Sequence, residues 1–252
     1  MTKRLLITAV VLAMLLVACG GGASTLAEGT LTVCTDAPYE PFEIYAEDGT
    51  LTGFDMDMIA EVANRMGLEM EPTVQPFEGI WLQPDAGTCD VVVAAMTITE
   101  ERAAQALFAD PYFDADQSLL VRSADAGSLT DLDALVGKKV GVQVGTTGEI
   151  YAEENSPAGV EIVSFDEAAG MFLSLASGDI DAILQDLPVN GYRSTQDDAF
   201  VVTAKFPTGE QYGFASSLDN TELIDEINTI LAEMREDGGY DEIYREYFGT
   251  GS

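Results

Sequence analysis

The chain has no histidine and very little positive charge: 11 Lys and Arg stand against 44 Asp and Glu in 252 residues, a formal net charge of −33. Without histidine, Ser-His-Asp and Cys-His catalytic arrangements are excluded, and so are zinc sites built on imidazole. The lysine-bearing phosphate loop is also missing, since the glycine-rich stretch Gly145-Thr146-Thr147-Gly148 is followed by Glu149. A surface this acidic repels nucleic acid and anionic lipid, so neither is expected as a partner. A carboxylate pair acting as acid and base stays open, although with 44 acidic residues closeness in sequence says little. Nothing in the composition calls for a cofactor or a metal.

Long apolar runs are scarce too. The stretch Leu5 to Val17 falls short of the ~20 residues that a spanning helix needs. Lys3 and Arg4 precede it and Leu16-Val17-Ala18-Cys19 follows, which reads as a targeting segment over residues 1–18. An ordinary cleaved secretory signal is one reading. The favoured one is a lipoprotein signal, because the tetrapeptide resembles a bacterial lipobox in which Cys19 becomes the acylated first residue. Residues 19–28 then form a flexible tether, opened by the small residues Gly20 to Thr25. The protein is therefore expected outside the cytoplasm, lipid-anchored to the outer face of the cell membrane or in the periplasm. An oxidising compartment permits a disulfide between Cys34 and Cys89. Two buried thiols are the alternative, because Cys34 lies late in one apparent strand and Cys89 just ahead of another.

The remaining chain, about 225 residues, is long enough to bury a large core. From Leu31 onward strand-like and helix-like stretches alternate, the pattern of an α/β protein with mostly parallel sheet. "LTVCT" (31–35) reads as a strand. "GFDMDMIAEVANRMG" (53–67) carries Met56, Ile59, Val62, Ala63 and Met66 at helical spacing and stops at Gly67. "DVVVAAM" (90–96) is a short apolar run of the kind covered on both faces of a sheet. Thr97 to Glu100 then reads as a helix start. Further on, 118–122, 138–144 and 180–186 read as strands, 129–137 and 166–178 as helices, and 145–154 as a glycine-rich turn into another helix. Two amphipathic helices separated by Gly238-Gly239 close the chain. Extended segments at Tyr112 to Gln117 and Pro207 to Tyr212 are placed to carry the backbone twice between two lobes.

Ligands of open α/β sheets sit at strand C-termini. The turn Thr97 to Arg102 combines free backbone N–H groups with a guanidinium fork, which suits a carboxylate. Gly145 to Gly148 is a second helix start with hydroxyls beside it. Asp186 follows the strand "IDAILQ" and suits a cation, so the three together suggest a pocket for a zwitterion. Each residue also has a plainer reading: Arg102 as a surface charge beside Glu100 and Glu101, Asp186 as a helix cap, the glycines as a tight turn.

"GFDMDMIAEVANRM", with "TDAPYEPFE", "AMTITEER", "KKVGVQVGTTGE", "DAILQD" and "DGGYDEIYREYFG" in that order, resembles the solute-binding proteins of polar amino acid ABC transporters, the bacterial extracellular solute-binding protein family 3. The resemblance runs from about Leu31 to Gly249. It implies a two-lobed clamshell of the type II periplasmic-binding-protein kind, with two mixed, mostly parallel sheets joined by a two-strand hinge. Residues 29–113 and 211–249 would form lobe 1, and 114–210 lobe 2. It further implies a monomer that closes on a free amino acid and delivers it to a permease in the membrane. Arg102 would take the ligand carboxylate, with Thr97, Thr146 and Thr147 donating further hydrogen bonds. Asp186, with the carbonyl of Ala95 or a neighbour, would take the ammonium. Tyr39 and Phe77 would sandwich the side chain, with Asp36, Asp55, Gln143 and Gln185 around it. Two acids and two amides suit a basic or polar uncharged side chain better than an acidic one.

The same architecture carries other functions, so two alternatives stand beside binding and transport. One is an exported enzyme like cyclohexadienyl dehydratase, with a cleft carboxyl protonating a leaving group. The other is an amino acid receptor or sensor module. An enzyme is not the expectation, because an acid for an ammonium and an arginine for a carboxylate account for the matched residues without leftover chemistry.

Overall fold

The computed structural model describes residues 24–249. The segment 1–18 and the expected acylation site Cys19 lie outside the described residues. In chain order the first part comprises β1 (Thr30–Thr35), a small hairpin of β2 (Ile44–Tyr45) and β3 (Leu51–Thr52), α1 (Phe54–Met66), β4 (Glu69–Val74), β5 (Val91–Val92), α2 (Glu100–Ala103) and β6 (Leu107–Phe108). The middle comprises β7 (Phe113–Arg122), β8 (Lys139–Gln143), α3 (Thr147–Asn155), β9 (Glu161–Phe165), α4 (Ala168–Ser177), β10 (Ala182–Asp186), α5 (Leu187–Gln196) and β11 (Phe200–Tyr212). The chain then returns through β12 (Ala215–Ser216), α6 (Thr221–Asp237) and α7 (Gly239–Phe248).

Two five-stranded sheets result, ordered β4-β1-β5-β12-β6 and β11-β7-β10-β8-β9. Parallel pairing holds within β4-β1-β5 and within β10-β8-β9. The remaining pairings are antiparallel, because the strands that carry the chain out of and back to the first sheet enter their neighbours in the opposite sense. Both sheets are therefore mixed, with less parallel character than the alternation of elements suggests.

β7 and β11 pair from Phe113↔Tyr212 to Arg122↔Phe200 and form the ribbon between the two lobes. The register shifts between Phe206 and Glu210, which inserts extra chain into β11. Beyond the ribbon, the Ile98 N–H donates to the Gln211 carbonyl and the Gly213 N–H to the Met96 carbonyl. The returning strand is thus tied to the turn that carries Thr97 and Arg102.

Lobe 1 is built on an aromatic core. Phe42 packs edge-on against Phe54, Phe113 and Tyr212, with Phe248 of α7 on top. Met58, Ile59 and Val62 of α1 and Leu223, Ile227 and Met234 of α6 complete it, all fully buried and at helical spacing. Gly67 ends α1 in the left-handed conformation at φ 74°, its N–H returning to the carbonyls of Ala63 and Asn64. On the other face of this sheet, Cys34 and Cys89 form a disulfide with Cα atoms 5.7 Å apart. The height mismatch that left thiols open is removed by the turn before β5, where the Asp90 N–H donates to the Thr32 carbonyl. Leu26, at the end of the expected tether, is held by its N–H to Asp90 Oδ1 at 2.6 Å.

Three local expectations change. The helix expected at 129–137 is only a 3₁₀ turn at Asp133–Leu135. The strand expected over 90–96 keeps ladder pairing only at Val91–Val92, since Ala95 turns left-handed at φ 43°. The helix after Thr97 is four residues long, capped by Thr99 Oγ1 accepting from the Arg102 N–H at 3.2 Å. Among the described residues no helix is long and apolar enough to cross a membrane.

Gly53 occupies a position no other residue fits. Its φ is 118°, and a Cβ there would lie 2.2 Å from the Phe42 carbonyl oxygen. Gly53→Ala is therefore expected to destabilise the protein by roughly 2–4 kcal/mol. Urea unfolding checks this, and a loss below about 0.5 kcal/mol would show that the α1 entrance tolerates a side chain.

Candidate functional site

The expected residues meet at the carboxyl ends of the strands of both sheets. Asp36 follows β1, Ala94 to Thr97 follow β5, Gln143 ends β8, Thr146 and Thr147 open α3, and Asp186 ends β10. With Tyr39, Phe77 and Arg102 these residues, Met96 excepted, line one narrow cavity whose free volume is only about 10 Å³ with the lobes in this arrangement. This is the crevice where open α/β sheets bind ligands. A wider groove of about 790 Å³ opens outside it, between Thr97 to Glu101, the α3 face and residues 208–211.

Arg102 is 4% exposed. Its guanidinium lies 5.2 Å from the Phe77 ring centre and 5.1 Å from that of Trp81, so the charge is held between two aromatic faces. Nη1 donates to the Thr97 carbonyl at 2.8 Å and Nη2 to the Gly145 carbonyl of the other lobe at 3.0 Å. These bonds use two of five N–H groups, and among the described residues no carboxylate forms an ion pair with it. Burial lowers its pKa to about 10, against the pull of Asp186, Glu210 and Glu101. It stays charged at neutral pH.

Asp186 is 7% exposed and accepts from Gln117 Nε2 at 2.6 Å, from the Tyr39 hydroxyl at 3.1 Å and from the Tyr212 hydroxyl. It starts α5 without a side-chain cap bond, so its carboxylate faces these groups and not the helix. Burial pushes it up to about 6, helped by Glu210 and opposed by those three donors. On the opposite wall Gln143 Nε2 donates to Asp36 Oδ2 at 2.6 Å, joining the lobes. Burial also pushes Asp36 up to about 6, with Gln143 opposing and Glu167 assisting.

Thr146 caps α3 by accepting from the Glu149 N–H at 3.1 Å. The Thr97 and Thr147 hydroxyls donate to Glu210 Oε2 at 2.8 and 2.6 Å. Their single protons are therefore directed at a side chain, and the remaining donors for a carboxylate are Arg102 and the first N–H groups of α3.

Two expected site residues are placed elsewhere. Asp55 is fully buried beneath the cavity floor, where it accepts the Ala95 N–H at 2.7 Å and the Tyr112 hydroxyl. Gln185 donates to Asn190 Oδ1 at 2.8 Å inside lobe 2. Adjacent strand residues point to opposite faces, so with Asp186 in the cavity Gln185 points away from it. Sequence reasoning missed Trp81, Gln117, Tyr212 and Glu210. The lone tryptophan was the one available signal among them; the others reach the site only through long-range strand pairing.

Known proteins share this fold. Residues 31–250 match the model of the bacterial extracellular solute-binding proteins, family 3. The chain belongs to that family. It is 32% identical over 223 residues to the L-cystine-binding protein TcyJ of Escherichia coli (strain K12), covering 88% of this chain and 84% of the relative. An ancestral arginine-binding protein bound to arginine superposes with a TM-score of 0.82 at 40% identity, over 88% of this chain and 99% of that one. The crystal structure of an ancestral amino acid-binding protein, described as a precursor of cyclohexadienyl dehydratase, superposes with a TM-score of 0.82 at 38% identity, over 87% and 96%. The two-lobed fold of this family is thereby shown for the chain.

The buried acids make stability depend on pH in a defined sense. Asp36, Asp55 and Asp186 rise to about 6 from 3.8, and burial holds Glu43 well above its ordinary range. A carboxyl whose folded pKa exceeds its unfolded one takes up protons on folding, so stability grows as pH falls through about 6 and levels off below the unfolded value. The melting temperature without added amino acid should rise by ~5 °C between pH 7.5 and pH 5. A melting temperature that falls over that interval would contradict the placement of these acids.

Proposed function

We propose that the protein is the substrate-capturing component of an ABC importer, binding one free L-amino acid between its lobes and delivering it to a membrane permease. Lobe 1 then comprises residues 29–113 and 211–249, and lobe 2 residues 114–210. The chain would be exported and act as a monomer, anchored by lipid on Cys19. One observation carries the reading: a buried guanidinium without a paired acid stands in the same enclosed cavity as the buried Asp186. A zwitterion supplies what each lacks, its carboxylate to Arg102 and the α3 N-terminus, its ammonium to Asp186. Arg102 already bonds to both lobes through Thr97 and Gly145, so ligand binding and closure are linked equilibria.

Side-chain preference follows from charge. The cavity lining holds one cation, Arg102, and two acids, Asp36 and Asp186. After the ligand's backbone groups are matched, Asp36 remains, beside the Gln143 amide and between Tyr39 and Phe77. A basic side chain neutralises it, a polar one hydrogen-bonds to it, and an acidic one is repelled. The arginine described for the ancestral structure fits that order.

A dehydratase-like reaction has one observation in its favour, the Asp186 carboxyl held up to about 6 within an enclosed site. Against it, Tyr39, Gln117 and Tyr212 all donate to that carboxyl, which favours its charged form. Prephenate or arogenate incubated with the protein should remain unconverted.

A thermal-shift panel of the L-amino acids, followed by calorimetry, tests the proposal. Basic residues should stabilise most. Arg102→Ala should weaken binding by ~2–5 kcal/mol, as when one member of a buried charge pair is removed. Affinity should fall as pH drops through about 6, because protonated Asp36 and Asp186 no longer attract cations. A panel without any response, or an Arg102→Ala protein that binds within a few-fold of the parent, would remove the zwitterion reading.

A further inference from the structure

Glu210 stands where both lobes and the hinge meet. It lies on β11 directly after the register shift at Phe206/Glu210, opposite Ala115 of β7. Oε2 accepts from Thr97 Oγ1 of lobe 1 at 2.8 Å and from Thr147 Oγ1 at the start of α3 in lobe 2 at 2.6 Å. Oε1 accepts from Gln117 Nε2 at 2.9 Å and from Thr208 Oγ1 at 2.8 Å. Gln117 Nε2 also donates to Asp186 Oδ1, so one amide group joins the hinge carboxylate to the cavity acid. Glu210 itself is half-buried, between the enclosed cavity and the outer groove.

We propose that Glu210 is a positioning residue that latches the lobes and sets the hydrogen-bonding sense of the cavity wall. The inference rests on the binding reading above and adds to the cross-lobe bonds of Arg102 and Gln143 a latch outside the cavity lining. Bonds from Thr97 and Thr147 to a single oxygen exist only when the two lobes are together. They therefore stabilise the closed arrangement through the protein's own groups, in addition to whatever an amino acid contributes. Charge-assisted bonds of this kind are the stronger class. The same bonds fix each threonine's one proton toward Glu210, so each hydroxyl turns its lone pairs to the cavity and offers an acceptor. Both hydroxyls are thereby withdrawn as donors to the ligand carboxylate, which is left to Arg102 and the first N–H groups of α3.

The register shift is what makes the latch reach. Phe206 pairs with Gln117 and Glu210 with Ala115, so the intervening residues 207–209 form a bulge within β11. Gly209, at φ 67°, makes the turn, and its N–H is fixed to Asp116 Oδ1 at 3.0 Å. Glu210 is in this way supported by β7 and does not depend on the cavity for its own placement.

The test measures the lobes without any ligand. Nitroxide labels are placed at the exposed Glu101 and Glu154, which both line the outer groove, through Glu101→Cys and Glu154→Cys in the chain from Gly20 onward, which omits the thiol of Cys19. The ligand-free parent is expected to show a short-distance population that Glu210→Ala depletes. Saturating L-arginine should restore the same short distance in both proteins, and the Kd for L-arginine should weaken about tenfold in Glu210→Ala, since affinity scales with the competent fraction. Glu210→Gln keeps an acceptor oxygen without the charge and should fall between the two. A role limited to folding would lower the melting temperature and leave the distance distribution unchanged, and that result overturns the latch. Tighter binding of L-arginine by Glu210→Ala overturns it too, because Glu210 would then be competing with the ligand. Failure of the parent to respond to any amino acid would instead refute the binding reading, while the ligand-free distances still decide the latch.

Discussion

A guanidinium buried without a paired acid is the constraint around which this site is arranged. In a chain with four times as many acidic as basic side chains, a counterion for Arg102 would be easy to supply. The fold instead surrounds it with Phe77 and Trp81 and gives it two carbonyls, one from each lobe. Neutral carbonyls and ring faces offset only part of the desolvation of a charge, so the site keeps a standing attraction for an anion. The acids of the cavity are placed away from Arg102: Asp186 among Tyr39, Gln117 and Tyr212, and Asp36 against Gln143. Separation of the charges matches a molecule that carries both signs.

The scaffold explains why those groups converge. Each comes from a turn at the carboxyl end of a strand, and the β7–β11 ribbon brings the ends of the two sheets face to face. Tyr212 serves twice, as part of the aromatic core of lobe 1 and as a donor to Asp186 from the second sheet. Asp55 likewise belongs to the core, yet by accepting the Ala95 N–H it holds the left-handed turn that forms the cavity floor. The binding surface is consequently continuous with the packing of both lobes.

Much of this was legible in the sequence, for local reasons. A helix start with hydroxyls and an arginine, a glycine-threonine turn and an acid after an apolar strand are short-range patterns, and Thr97, Arg102, Thr147 and Asp186 all line the cavity. Gly67 marked the end of α1 for a similar reason. The misplaced residues show where such reasoning stops. Gln185 and Asp186 are neighbours in one strand and so lie on opposite faces, a rule that requires knowing which face is the cleft. Asp55 sits in a first helical turn, where sequence leaves open whether the carboxylate meets ligand or backbone. Glu210 and Trp81 carry no local signature, because the first depends on a register shift and the second on a 3₁₀ turn folding back over Arg102. The parallel character of the sheets was overestimated, since alternation of strands and helices says nothing of the two crossings between lobes.

The most direct measurement is a crystal structure of the protein with the L-amino acid that stabilises it most. The account predicts the ligand enclosed among Asp36, Tyr39, Phe77 and Arg102, its carboxylate within hydrogen-bond distance of the Arg102 guanidinium and its ammonium against Asp186. A ligand bound in the outer groove, or one lying in the cavity with its ammonium toward Arg102, would contradict it.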